Sequence, residues 1–77
     1  MQQKHPHLIK IGQKIRQLRL ERGFSQEDFA AEVSIDRSYM GGIERGERNV
    51  AALNLIRIAK ALGVEVGDIF PPIKTFK

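Results

Sequence analysis

The chain is predicted to fold as an all-α domain of five short helices. Three observations carry that expectation. Apolar residues recur at steps of three and four along most of the chain. The periodic stretches are punctuated by Gly23, by Ser34-Ile35-Asp36, by Gly46 and by Gly63. No stretch carries a convincing strand pattern, and no repeat or low-complexity tract interrupts the series.

Leu8, Ile11, Ile15 and Leu18 form the stripe of a first helix over 8–22, with Lys10, Lys14, Arg16 and Arg22 mostly off it. Gly23 reads as its left-handed stop, and residues 1–7 are expected to be a flexible tail. Ser25 is an N-cap for a short second helix over 26–33. Glu27 and Asp28 sit in its first turn, where they complement the helix dipole. Phe24 is placed to staple onto Phe29, and Phe29, Ala30 and Val33 face inward. Asp36 caps a third helix over 37–45, whose buried stripe is Tyr39, Met40 and Ile43. Gly41 and Gly42 cost that helix about 1 kcal/mol each relative to alanine, and Gly46 ends it. The second and third helices are joined by about three residues, the spacing of a helix-turn-helix.

Glu47-Arg48-Asn49-Val50 is a polar loop. A fourth helix over 52–62 carries Leu53, Leu55, Ile56, Ile58, Ala59, Ala61 and Leu62, a stripe too wide for one neighbour. Such a width suggests one face on the core and another on a second subunit. Gly63 stops it. A last helix over 65–70 brings Val66, Ile69 and Phe70 before Pro71-Pro72, and 71–77 is left as a C-terminal tail.

With 77 residues there is room for one small domain. A chain of this size buries only about 60% of its unfolded surface, so the core is thin and a partner subunit would reinforce it. The absence of cysteine excludes disulfides, thiolate zinc sites and thiol catalysis. Hydrophobic residues at 42% and charged residues at 29% argue against disorder. MQQKHPH lacks the apolar core of a signal peptide, and no apolar run would span a bilayer, so a cytoplasmic location and no membrane partner are expected.

The net charge of +4 is unevenly spread. Residues 1–22 hold six basic residues against Glu21, whereas 23–35 hold only Glu27, Asp28 and Glu32. Particular segments must therefore carry any contact with a polyanion. His5 and His7 form an H-x-H pair, but two ligands make a weak metal site, and a plain tail is the better reading. No nucleophile–base set, carboxylate pair or phosphate-cradling loop is visible. No enzyme activity, cofactor or metal is expected.

Ser25-Gln26-Glu27-Asp28-Phe29-Ala30, Ile35, Arg37-Ser38-Tyr39, Ile43-Glu44-Arg45-Gly46 and Arg48-Asn49 together resemble the XRE, or lambda-repressor-like, helix-turn-helix family. The run from Ile56 to Val64 and Asp68-Ile69-Phe70 match that family's ending, so the likeness spans 8–70. Asp36-Arg37-Ser38-Tyr39 leading into Gly41-Gly42-Ile43-Glu44-Arg45-Gly46-Glu47-Arg48-Asn49 is most similar to the controller proteins of restriction–modification systems. The chain departs from the family at two positions. Ser34 stands where glycine is usual in the turn, and Gly42 stands where relatives carry a base-reading side chain. A glycine has no side chain to read with, which leaves room for the backbone to approach the duplex or a thymine methyl closely, and the sequence leaves open whether Gly41-Gly42 does so.

The third helix would then enter the major groove, with Arg37 and Ser38 at base edges. Tyr39 is divided between a base contact and a core or phosphate role. Gln26, Arg45, Arg48 and Asn49 are candidates for the DNA backbone. For Arg45 the competing reading is a surface ion pair with Glu47 or Glu44. The resemblance also implies that Arg19 and Glu44 form an internal ion pair rather than a catalytic one. Leu55, Ile58, Leu62, Val66, Ile69 and Phe70 are the candidate dimer surface. The expected function is a homodimeric, sequence-specific regulator on a pseudo-palindromic double-stranded operator, with no small-molecule effector. In a restriction–modification system, the resemblance implies, it would delay endonuclease expression. The alternative is an antitoxin-like or coactivator-like adaptor that uses the same fold to bind protein.

Overall fold

A computed structural model describes residues 4–76. Four α-helices, α1 (Pro6–Glu21), α2 (Gln26–Glu32), α3 (Arg37–Glu44) and α4 (Ala52–Leu62), are followed by 3-10 turns at Val66–Ile69 and Ile73–Thr75. The fifth expected helix is the first of these turns. The second forms beyond Pro71-Pro72, where regular structure was expected to end. Among the described residues there is no strand, and no helix is long and apolar enough to cross a membrane.

All four helices close with one device. A left-handed residue, the one after the C-cap in α1 to α3 and the C-cap itself in α4, closes the helix, and paired amides return to the last turn. For α1 the Phe24 amide donates to the Arg19 carbonyl at 3.1 Å and the Gly23 amide to Leu20 at 3.0 Å. Gly46 and Gly63 serve α3 and α4 in the same way, while α2 ends on Ser34, a non-glycine residue with φ of 57°. The starts are capped as the sequence predicts. Ser25 Oγ accepts from the Asp28 amide at 3.0 Å, and Asp36 Oδ2 accepts from Ser38 at 2.9 Å and Tyr39 at 3.3 Å. The Phe24 and Phe29 rings meet at 5.2 Å between centroids, completing the staple.

The core is one cluster in which Ile15, Phe29, Met40, Ile43, Ile58, Leu62 and Ile69 are fully buried. α1 and α2 both pack on α3, which buries Met40 to Glu44 and leaves Arg37 and Ser38 exposed. α1 crosses α3 closely at Gly12. A Cβ there would overlap the Ile43 carbonyl oxygen and lie 2.6 Å from that of Glu44.

Two expectations need correction. Ile58, Leu62 and Ile69 belong to the single chain's own core, each no more than 2% exposed, and cannot form a subunit surface. The rotation of α4 turns Leu53 and Ile56 outward instead, at 70% and 52% exposure. Leu55 and Val66 are half-buried, and Phe70 is exposed. The N-terminal tail is also shorter than expected. His5 caps α1 by accepting the His7 amide on Nδ1 at 3.1 Å, Pro6 opens the helix, and the His5 amide donates to the Gly46 carbonyl at 3.2 Å. The rest of that expected tail, residues 1–3, lies outside the described residues, as does Lys77. The C-terminal segment folds back on α1: Lys10 Nζ donates to the Thr75 carbonyl at 3.2 Å, and the Phe76 ring stands edge-on to His7.

Candidate nucleic-acid interface

α3 exposes Arg37 and Ser38 of its first turn to solvent. The opposite face is anchored by Met40 and Ile43, both at most 1% exposed. Asp36 occupies two of the orphan amides at its N-terminus, so the turn that carries Arg37 is rigid.

The C-terminal end of α3 is held by a buried ion pair. Arg19 Nε donates to Glu44 Oε2 at 2.7 Å and Nη2 to Oε1 at 3.0 Å, a bidentate fork from α1. Its remaining nitrogen, Nη1, donates to the Phe24 carbonyl at 2.8 Å, so one guanidinium ties together α1, the α1–α2 turn and α3. Gln26 completes the network, its amide Nε2 donating to Glu44 Oε1 at 3.1 Å. That bond commits one of the two N–H groups of Gln26 and leaves the other for a phosphate. No buried side-chain polar atom among the described residues lacks a partner.

Gln26 and Arg45 converge over Gly41. A Cβ at Gly41 would lie 3.4 Å from Gln26 Oε1 and 2.9 Å from Arg45 Nη1. Arg45 also pairs with Glu47, Nε to Oε1 at 3.1 Å, the surface ion pair weighed for it from sequence. Arg48 and Asn49 follow in an exposed turn. Tyr39, half-buried against the core, donates its hydroxyl to the Asn49 carbonyl at 2.8 Å. The proton of Tyr39 is thus spent inside the chain, so its hydroxyl does not donate to a phosphate while that bond holds, and its oxygen can only accept from a base amino group.

Gly42 is not the open approach to the duplex that its lack of a side chain suggests. It is buried, and the Arg48 stem lies across it, with Cγ 2.7 Å from where a Cβ would stand. Gly12, at the α1–α3 crossing, went unread in the sequence, and Gly46, read there only as a helix stop, also packs closely, its Cβ falling 2.6 Å from Ile9 Cα. The signal for Gly12 was available: a glycine inside an apolar helical stripe weakens the helix and needs a packing reason.

A surface depression of about 630 Å³ lies between the end of α2 and α4 and is lined by Glu32, Val33, Ser34, Arg57, Lys60 and Ala61. It holds no histidine and no second carboxylate to activate Ser34. The chemistry on offer at α3 is a different one: cationic forks and amides around a rigid, exposed helix start.

A family model described as Helix-turn-helix matches residues 15–69. The chain belongs to the helix-turn-helix family. Within it, this helix-turn-helix protein is of the restriction–modification controller type. It is 42% identical to the control protein C.MunI of a Mycoplasma species, over 86% of this chain and 90% of that one. It is 49% identical to the control protein C.BamHI of Bacillus amyloliquefaciens, over 77% and 74%. The crystal structure of the restriction–modification controller protein C.AhdI from Aeromonas hydrophila superposes with a TM-score of 0.83 at 45% identity, covering 86% of this chain and all of that one. The biofilm regulator SinR, solved in complex with DNA, superposes with a TM-score of 0.74 at 33% identity, over 77% of this chain and 95% of that one. These relatives are controllers and regulators, and the helix-turn-helix protein is not an enzyme.

Proposed function

We propose that this protein reads a pseudo-palindromic operator as a homodimer, placing the first turn of α3 in the major groove of each half-site. As a helix-turn-helix protein of the controller type, it is a DNA-binding transcriptional regulator. The observation that supports the finer reading is the seating of α3. One face is buried, the N-terminus is capped by Asp36, the C-terminal end is pinned by Arg19–Glu44, and Arg37 and Ser38 stand exposed. A helix held this firmly loses little further entropy on docking.

In this reading Arg37 donates a bidentate pair to guanine and Ser38 adds a less selective bond, while the Tyr39 hydroxyl stays on the Asn49 carbonyl. Gln26, with the first amides of α2, contacts one phosphate, and Arg45, Arg48 and Asn49 hold the flanking backbone. Leu53 and Ile56 on α4, with Phe70 and Ile73 beyond it, are the exposed apolar surface for a second copy. Half-sites then lie about one helical turn apart. Occupancy follows protein concentration without a bound effector.

Selection from random duplexes, followed by affinity measurements over a range of salt, tests the proposal. Arg37→Ala should relax preference at one base pair, costing about 1–3 kcal/mol of discrimination, while Arg48→Ala should weaken all sequences about equally and reduce the salt slope by about 1. Binding that shows no sequence preference and little salt dependence would instead favour the protein-binding adaptor.

A further inference from the structure

The second glycine of the Gly41-Gly42 pair has a use that lies outside any groove contact of its own. Gly42 sits inside an eight-residue helix, where glycine costs about 1 kcal/mol relative to alanine. Its backbone does not require glycine, for the positive-φ glycines are Gly23, Gly46 and Gly63. What it accommodates is Arg48: a Cβ at position 42 would lie 2.7 Å from Arg48 Cγ, 3.6 Å from Nε and 3.8 Å from Cδ. The obstructing atom is the second carbon of the stem, close to the Arg48 backbone, and it moves aside only through a change of χ1 that re-aims the whole side chain. At Gly41 the obstructing atom is Arg45 Nη1, the far end of a long side chain, so an added methyl is more readily accommodated there.

The backbone that carries Arg48 is held from the same helix on both sides. The Glu47 amide donates to the Gly42 carbonyl at 2.8 Å, and the Tyr39 hydroxyl donates to the Asn49 carbonyl at 2.8 Å. Arg48 itself is exposed. An unrestrained arginine loses about 2 kcal/mol of rotamer entropy when fixed on a ligand, and a stem already laid against a surface loses less.

We infer that Gly42 and Tyr39 are positioning residues for Arg48. Gly42 supplies a side-chain-free seat on α3 for the arginine stem, and Tyr39 holds the turn that delivers it, so that Arg48 meets DNA as part of the recognition helix. The inference rests on Arg48 contacting DNA, as proposed above. It replaces a direct groove role for Gly42 with an indirect one.

A double-mutant cycle on the full chain tests it, with the selected operator duplex as probe. Gly42→Ala should lower operator affinity about threefold to tenfold, the scale of one charge-assisted contact, and reduce the salt slope by about 1, as Arg48→Ala does. In the R48A background, Gly42→Ala should cost almost nothing more. Tyr39→Phe should behave likewise, and it leaves the α3 surface at position 42 untouched. The melting temperature of Gly42→Ala should hold or rise, since alanine favours the helix. Equal losses from Gly42→Ala with and without Arg48 would overturn the seat and assign the glycine a direct approach to the duplex. No loss from Gly42→Ala in the parent chain overturns it as well. Parent protein that binds no duplex preferentially would bring down the DNA reading itself, a distinct result visible before any variant is made.

Discussion

Ser34 holds φ of 57° at the position where the other three helices use glycine. A left-handed backbone costs a residue with a Cβ about 1–2 kcal/mol, partly offset because serine has less freedom than glycine to lose on folding. Ser34→Gly should therefore stabilise the domain by about 0.5–1 kcal/mol. Thermal unfolding should show a rise of a few degrees, at about 4–8 °C per kcal/mol for a domain of this size. The buried fork between Arg19 and Glu44 works in the opposite direction. Glu44→Ala strands a guanidinium that is 5% exposed, and urea unfolding should show a loss of about 3–5 kcal/mol. The double change Arg19→Met with Glu44→Leu should cost clearly less than that single change, because it leaves no buried charge unpaired.

At the scale of elements, the contact that matters most is α1 on α3. Gly12 lets the two backbones approach until its Cα faces the carbonyls of Ile43 and Glu44, so the site helix is braced by main chain rather than by adaptable side chains. Gly12→Ala gains helix propensity yet forces the crossing apart, and a net loss of about 2 kcal/mol is expected in chemical denaturation. Gly67→Ala, where nothing lies within 4 Å, should change stability by no more than about 0.5 kcal/mol. Helix boundaries were legible from the sequence to within about two residues, because Ser25, Asp36, Gly23 and Gly63 act on their own neighbours. Gly12 was not legible in that way. Its role depends on Ile43 and Glu44, more than thirty positions away in the chain, and nothing beside it announces those neighbours.

The whole molecule has one thin core, and α4 shows how that core divides an ambiguous stripe. Seven apolar positions on the helix left its inward face open, and packing chose Ile58, Ala59 and Leu62. The outward pair, Leu53 and Ile56, is where a second copy is proposed to sit. Replacing both, Leu53→Asp with Ile56→Glu, should shift sedimentation to the monomer and remove cooperativity on a two-half-site operator. The circular dichroism spectrum and melt should stay close to those of the parent chain. Ile58→Glu, by contrast, buries a charge and should unfold the domain. A dimer that survives the outward pair of changes would move the interface elsewhere.

Local chemistry in the sequence determined where each helix starts and stops, the acidic first turn of α2, and the set of cations available for a polyanion. Caps, turns and periodicity are nearest-neighbour properties, so a linear reading captures them. The family motifs extended that reading to the Arg19–Glu44 pair. The tertiary structure alone decided the rotation of α4, the crossing at Gly12, and the commitment of Gln26 to Glu44 and Tyr39 to Asn49. It also decided that Arg48 lies across Gly42. Each depends on which distant surface arrives within a few ångströms, and close packing, rather than composition, selects that partner.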